Sequence, residues 1–117
     1  VRIRLNAVIG KEEGSKAIQD ICSYINDHFA EPLTLDDIAK QFFISRAKLV
    51  RIFRGTLDIS VGDYLTNVRI SKAKSMLHQG ETVHEAAIRC GYANVGYFIR
   101  IFREHTGFTP ADYKRIY

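Results

Sequence analysis

The tetrapeptide Arg-Ile-Phe-Arg occurs twice, at 51–54 and again at 100–103. A guanidinium is planar, permanently charged and carries five donors in a fixed fork, which suits it to guanine O6 and N7 or to a phosphate. Arginines three residues apart share one face of a helix, so each copy presents a paired cationic surface. The chemistry on offer is therefore the gripping of a polyanion. Catalysis finds little footing. His28, His78, His84 and His105 show no HxH or HExxH spacing, and no Gly-rich phosphate loop or nucleophile motif occurs. Cys22 and Cys90 are far apart and lack CxxC or metal spacing, which reads as reduced, buried thiols of a cytosolic protein. No catalytic residue, metal site or cofactor is assigned.

The elements that must hold these arginines are helix pairs. Thr82-Val83-His84-Glu85 is a Thr-x-x-Glu capping box, and Val83, Ala86, Ala87 and Cys90 follow on one apolar helical face. Gly91 supplies the left-handed backbone of a sharp turn. Asn94 then caps a second helix that turns Phe98, Ile101 and Phe102 inward and Gly96, Arg100 and Arg103 outward. Upstream, Thr34-Leu35-Asp36-Asp37 repeats the first cap, and Leu35, Ile38, Ala39 and Phe42 repeat its apolar face. Ser45 caps the following helix, with Arg46, Ala47, Val50, Arg51 and Arg54 outward and Lys48 beside them. Phe43 and Ile44 stand where a turn glycine is common, so packing is expected to hold this turn. The match continues from Ser60–Tyr64 to Thr109–Tyr113, with Asp58 in place of Gly107.

Two helix-turn-helix motifs, at 34–55 and 82–107, are thus expected. A recognition helix shows its N-terminal part to base edges. Arg46, Ala47, Val50 and Arg51 in the first, and Val95, Gly96, Ile99 and Arg100 in the second, are the base-reading candidates. Ser45, Lys48, Arg54, Asn94 and Arg103 are the phosphate candidates. A linker helix over 63–79 starts at Ser60-x-x-Asp63 and stops at Gly80, with Leu65, Val68 and Met76 on one apolar stripe and Ile70, Ala73 and Leu77 on another. Some 16 residues at about 1.5 Å each span roughly 25 Å. That is comparable with one turn of B-DNA, about 34 Å. The charge of +4 is unevenly spread: eight Lys or Arg face two Asp between Lys40 and Gln79. Arg69, Lys72 and Lys74 belong to this basic middle, while Lys114 and Arg115 near the end suit either phosphate or water.

Residues 1–14 read as an N-terminal arm or linker: Val1–Gly10 alternates like a strand, and Lys11–Gly14 has the composition of a linker. An opening Val suggests a piece of something longer. Ser15–Phe29 reads as an amphipathic helix, ended by Pro32. No apolar run approaches a membrane span. Residues 15–117 form the expected domain.

The chain resembles the DNA-binding domain of AraC/XylS-family bacterial transcription regulators. The resemblance rests on Tyr64-Leu65-x-x-x-Arg69-Ile70-x-x-Ala73-x-x-Met76-Leu77, on Ala86-Ala87-x-x-x-Gly91-Tyr92, on Asn94-x-x-Tyr97-Phe98-x-Arg100-x-Phe102-Arg103 and on Thr106-Gly107-x-Thr109-Pro110-x-x-Tyr113. It covers about Ile18–Tyr113. It implies an all-α fold of seven helices in two lobes joined by a long linker helix. It also implies sequence-specific binding to double-stranded promoter DNA in successive major-groove segments, and usually activation by contact with RNA polymerase. Two recognition helices in one chain predict a monomeric domain, dimerisation of the full-length protein being left to a missing domain. Asp58, Val61 and Gly96 depart from the family pattern, the last where a base-reading side chain is frequent. The rival reading is a helical protein-interaction module, which would expose hydrophobes where this chain has Arg51, Arg54, Arg100 and Arg103. RNA is disfavoured, because A-form grooves admit a helix poorly.

Overall fold

The structure, a computed structural model, describes residues 16–117. The strand-like alternation of Val1–Gly10 and the linker at 11–14 lie outside the described residues. Among the described residues there are seven helices and no strand: α1 (16–28), α2 (Leu35–Gln41), α3 (Arg46–Leu57), α4 (Val61–His78), α5 (Val83–Arg89), α6 (Val95–Thr106) and α7 (Pro110–Ile116). None is long and apolar enough to cross a membrane.

Two compact units divide the chain, 16–28 with Leu33–Tyr64 and Phe29–Pro32 with Leu65–Tyr117. The first carries α1 to α3 and the first turn of α4. Ile18, Ile21 and Ile25 of α1 are buried, as are Ile38 and Ala39 of α2 and Leu49 and Phe53 of α3. Tyr64 closes this unit: its ring meets Phe53 edge-on at 5.5 Å, and its hydroxyl donates to Asn26 Oδ1 at 3.3 Å. The second unit buries Ile70, Ala73, Leu77, Ala86, Ala87, Cys90, Tyr92, Phe98 and Phe102 as one core, with Met76, Ile101 and Tyr113 packed against it. Burial pushes the Cys90 thiol up to about 11. The expectation of buried thiols holds for Cys90, whereas Cys22 is only half-buried.

Caps set the helix boundaries. Thr34 accepts from the Asp37 N–H at 3.1 Å while the Asp37 carboxylate accepts from the Thr34 N–H at 3.1 Å. Thr82 and Glu85 repeat the reciprocal pair at 3.0 and 3.3 Å. These hydrogen bonds hold the Asp37 and Glu85 carboxyls below their ordinary range. Ser60 accepts from the Asp63 N–H at 3.0 Å, so α4 begins at Val61, two residues before the expected start. It ends at His78, followed by Gly80 at φ +100°. The first motif's second helix also runs on, to Leu57 rather than 55, before Asp58 turns left-handed at φ +59°.

The turn of the first motif corrects its expectation. Phe43 takes a left-handed backbone, φ +56°, and its ring is 95% exposed. Packing of Phe43 therefore does not hold the turn. Backbone hydrogen bonds do: Phe43 N–H to Lys40 O at 3.2 Å and Ile44 N–H to Ala39 O at 3.1 Å. The same two-bond closure recurs after α5, from Gly91 N–H to Ile88 O and from Tyr92 N–H to Ala87 O. Both turns use one geometry, with glycine in the second copy alone.

Candidate nucleic-acid interface

In each unit the second motif helix is fixed from beneath and bare above. The Ser45 hydroxyl accepts from the Lys48 N–H at 3.1 Å, which starts α3, and Leu49 and Phe53 anchor it in the core. Arg46, Ala47, Lys48, Val50, Arg51 and Arg54 are left exposed. Asn94 Oδ1 accepts from the Tyr97 N–H at 2.9 Å, which starts α6, and Phe98 and Phe102 anchor that helix. Gly96, Ile99, Arg100 and Arg103 are exposed. Capping uses one acceptor of Ser45 and of Asn94 and leaves the hydroxyl and amide hydrogens as donors.

Val95 stands apart from the other base-reading candidates. It is half-buried and packs against the second core, whereas Arg46, at the same place after its own cap, is exposed. The outer face of α6 therefore starts with Gly96, which offers no side chain. Two arginines have neighbours. Arg46 lies 4.0 Å from Asp36, both largely exposed. Arg100 lies 4.0 Å from Glu104 and 5.1 Å from the centre of the Tyr97 ring. Exposed pairs at that separation contribute little and yield readily to a phosphate or base.

Three cations outside the two recognition helices are held by the fold to different degrees. Arg69 donates from Nε to Phe29 O at 2.7 Å and from Nη2 to Glu31 O at 2.8 Å, and its guanidinium lies 5.3 Å from the Tyr92 ring centre. It clamps the 29–32 segment within the second unit. Gly91 lines this clamp: a Cβ there would come within 3.0 Å of both Arg69 Nε and Phe29 O. Lys114 donates to Gly80 O at 3.2 Å, so it secures the end of α4. Arg115 pairs with Asp112 at 3.2 Å. The Arg69 clamp escapes sequence reasoning, since its acceptors are main-chain carbonyls about forty residues upstream.

The helix-turn-helix domain family matches residues 38–116. Regulatory protein SoxS of Escherichia coli (strain K12) is 34% identical over 100 residues, covering 85% of this chain and 94% of SoxS. The transcriptional activator RhaS of Klebsiella pneumoniae is 29% identical over 99 residues, covering 84% of this chain and 36% of RhaS. The chain spans about a third of the length of the first curated relatives it matches. Among solved structures, the DNA-binding domain of the global transcriptional factor AdpA, in complex with a target DNA, superposes with a TM-score of 0.80 at 25% identity, covering 85% of this chain and 90% of that one. A duplicated capped helix pair, an exposed arginine face in each copy and these likenesses agree: the chain belongs to the AraC-type helix-turn-helix DNA-binding domains of bacterial transcription regulators.

Proposed function

We propose that one copy of this chain binds one asymmetric duplex site, with α3 and α6 entering successive major-groove segments. One observation carries the reading: Arg51 and Arg100 are both sixth after their caps, Arg54 and Arg103 both ninth, and all four are exposed. A face kept free of packing in both copies is preserved for a partner, and its charge selects a polyanion. Arg46, Ala47, Val50 and Arg51 read bases in the first segment, and Ile99 and Arg100 in the second, where the backbone at Gly96 permits close approach. Ser45, Lys48, Arg54, Asn94 and Arg103 hold phosphates.

The chain acts by binding rather than by catalysis. Residues 15–117 are the DNA-binding domain and 1–14 an N-terminal arm or linker. The whole protein works in the cytoplasm, on the nucleoid, as an activator that touches RNA polymerase. RhaS, a transcriptional activator, supports the activating role alone. Selection of sites from random duplex DNA, followed by sedimentation of the complex, tests the core of it. An asymmetric site with one bound chain is the expected result. A palindrome that requires two chains would overturn it.

A further inference from the structure

Phe43 is the residue that DNA binding through α3 and α6 leaves unexplained. Among the described large hydrophobes it is the most exposed, at 95%, and it occupies a left-handed backbone at φ +56°. Bulky side chains are disfavoured there. The corresponding residue of the second motif is Gly91, which the Arg69 clamp requires to be small. Around Phe43 no such crowding applies, since the ring points into solvent. Glycine at 43 would relieve the backbone and lose no packing. The fold thus gives no reason for an aromatic side chain at this turn.

Its position gives one. Phe43 lies two residues before Ser45, the cap of the first recognition helix, and exposed Lys40, Arg46 and Lys48 flank it in sequence. In helix-turn-helix complexes the recognition helix enters the major groove and the preceding helix crosses the backbone, so the turn between them comes to the groove edge. The cations suit the phosphates at that edge, and the apolar surfaces between phosphates are thymine methyl groups and deoxyribose faces. We infer that the exposed Phe43 ring, carried on the left-handed turn before α3, packs against an apolar edge of the DNA site. This rests on the proposed function above and adds an interaction outside the recognition helices.

The test uses the purified chain and its selected duplex. Phe43→Gly is expected to melt at the same or a higher temperature than the wild type. It is also expected to bind roughly tenfold more weakly, because the apolar edge of the DNA stays hydrated without the ring. The slope against salt should not change, because no charge is removed. Phe43→Tyr, which keeps the ring, should bind within about twofold of the wild type. Replacing each thymine of the site by uracil separates the two surfaces. A methyl whose loss weakens the wild type but not Phe43→Gly is the ring's partner, and if no methyl behaves so, the partner is deoxyribose. Wild-type affinity in Phe43→Gly would overturn the inference and leave the proposed function standing. Weaker binding together with a lower melting temperature would also overturn it, since the ring would then act through the fold. A wild type that binds no duplex overturns both.

Discussion

Arg51 and Arg54 are both exposed on α3, and under the proposed function their distances from the Ser45 cap give them different work. In that proposal the earlier arginine of each pair meets base edges and the later one the DNA backbone. Arg51→Ala and Arg100→Ala should each cost roughly 1–3 kcal/mol and relax preference at one or two base pairs. Arg54→Ala and Arg103→Ala should weaken all sequences alike and shallow the salt slope by about one. A panel of single-base site variants measures the difference. Arg100 is the sharper case, because Tyr97 and Glu104 both lie beside it. If Arg100→Ala lowers affinity uniformly across the panel, its place is on a phosphate. Gly91 makes a separate prediction, about stability. It combines φ +102° with 3.0 Å approaches to Arg69 and to the Phe29 carbonyl. Gly91→Ala should therefore destabilise the chain by about 2–3 kcal/mol, as thermal or denaturant unfolding would show.

At the scale of elements, helix ends govern the fold. Asp58 and Gly107 close the two recognition helices in the same left-handed conformation, and each N–H donates to the carbonyl four residues back. Asp tolerates this backbone at some cost, so Asp58→Gly should stabilise the chain by roughly 0.5 kcal/mol. Gly107 has no neighbour within 4 Å of a Cβ, so Gly107→Ala should cost only the backbone strain, about 1–2 kcal/mol. Comparing the two melting temperatures checks both signs. This is also why most of the fold is legible in the sequence: Thr34, Ser45, Thr82, Asn94 and Thr109 announce helix starts by local hydrogen bonds to residues three ahead. Local chemistry writes itself into local spacing. Interactions between distant parts of the chain stay hidden from it. Nothing near Arg69 tells that its acceptors are Phe29 O and Glu31 O, and Lys114 gives no sign of Gly80. Phe43 misleads differently, since its residue type argues against the left-handed backbone it adopts. Val95 and Arg46 hold the same place after their caps, yet only Val95 is half-buried, a difference that depends on core packing and not on local spacing.

For the whole molecule, affinity should fall steeply with salt as phosphate binding releases counterions. Arg69 is removed from the count of free cations by its two carbonyls, and Lys114 by one. The remaining basic residues on and beside α3 and α6 give an expected slope of about −4 to −7 for log K against log[salt]. A titration of affinity at several ionic strengths measures it, and a flat response would favour peptide binding over DNA. The Arg69 clamp has a further consequence, for where this chain can be divided. Its acceptors belong to a four-residue segment, Phe29–Pro32, that the second unit takes from upstream of the whole first motif. A scission anywhere between Pro32 and Leu65 therefore cuts the second unit as well as the first. During synthesis these residues are made about forty positions before the arginine that holds them. The two motifs are alike in sequence, but they are not cassettes. An exchange of one for the other at α4 would carry away a guanidinium and leave its carbonyls behind.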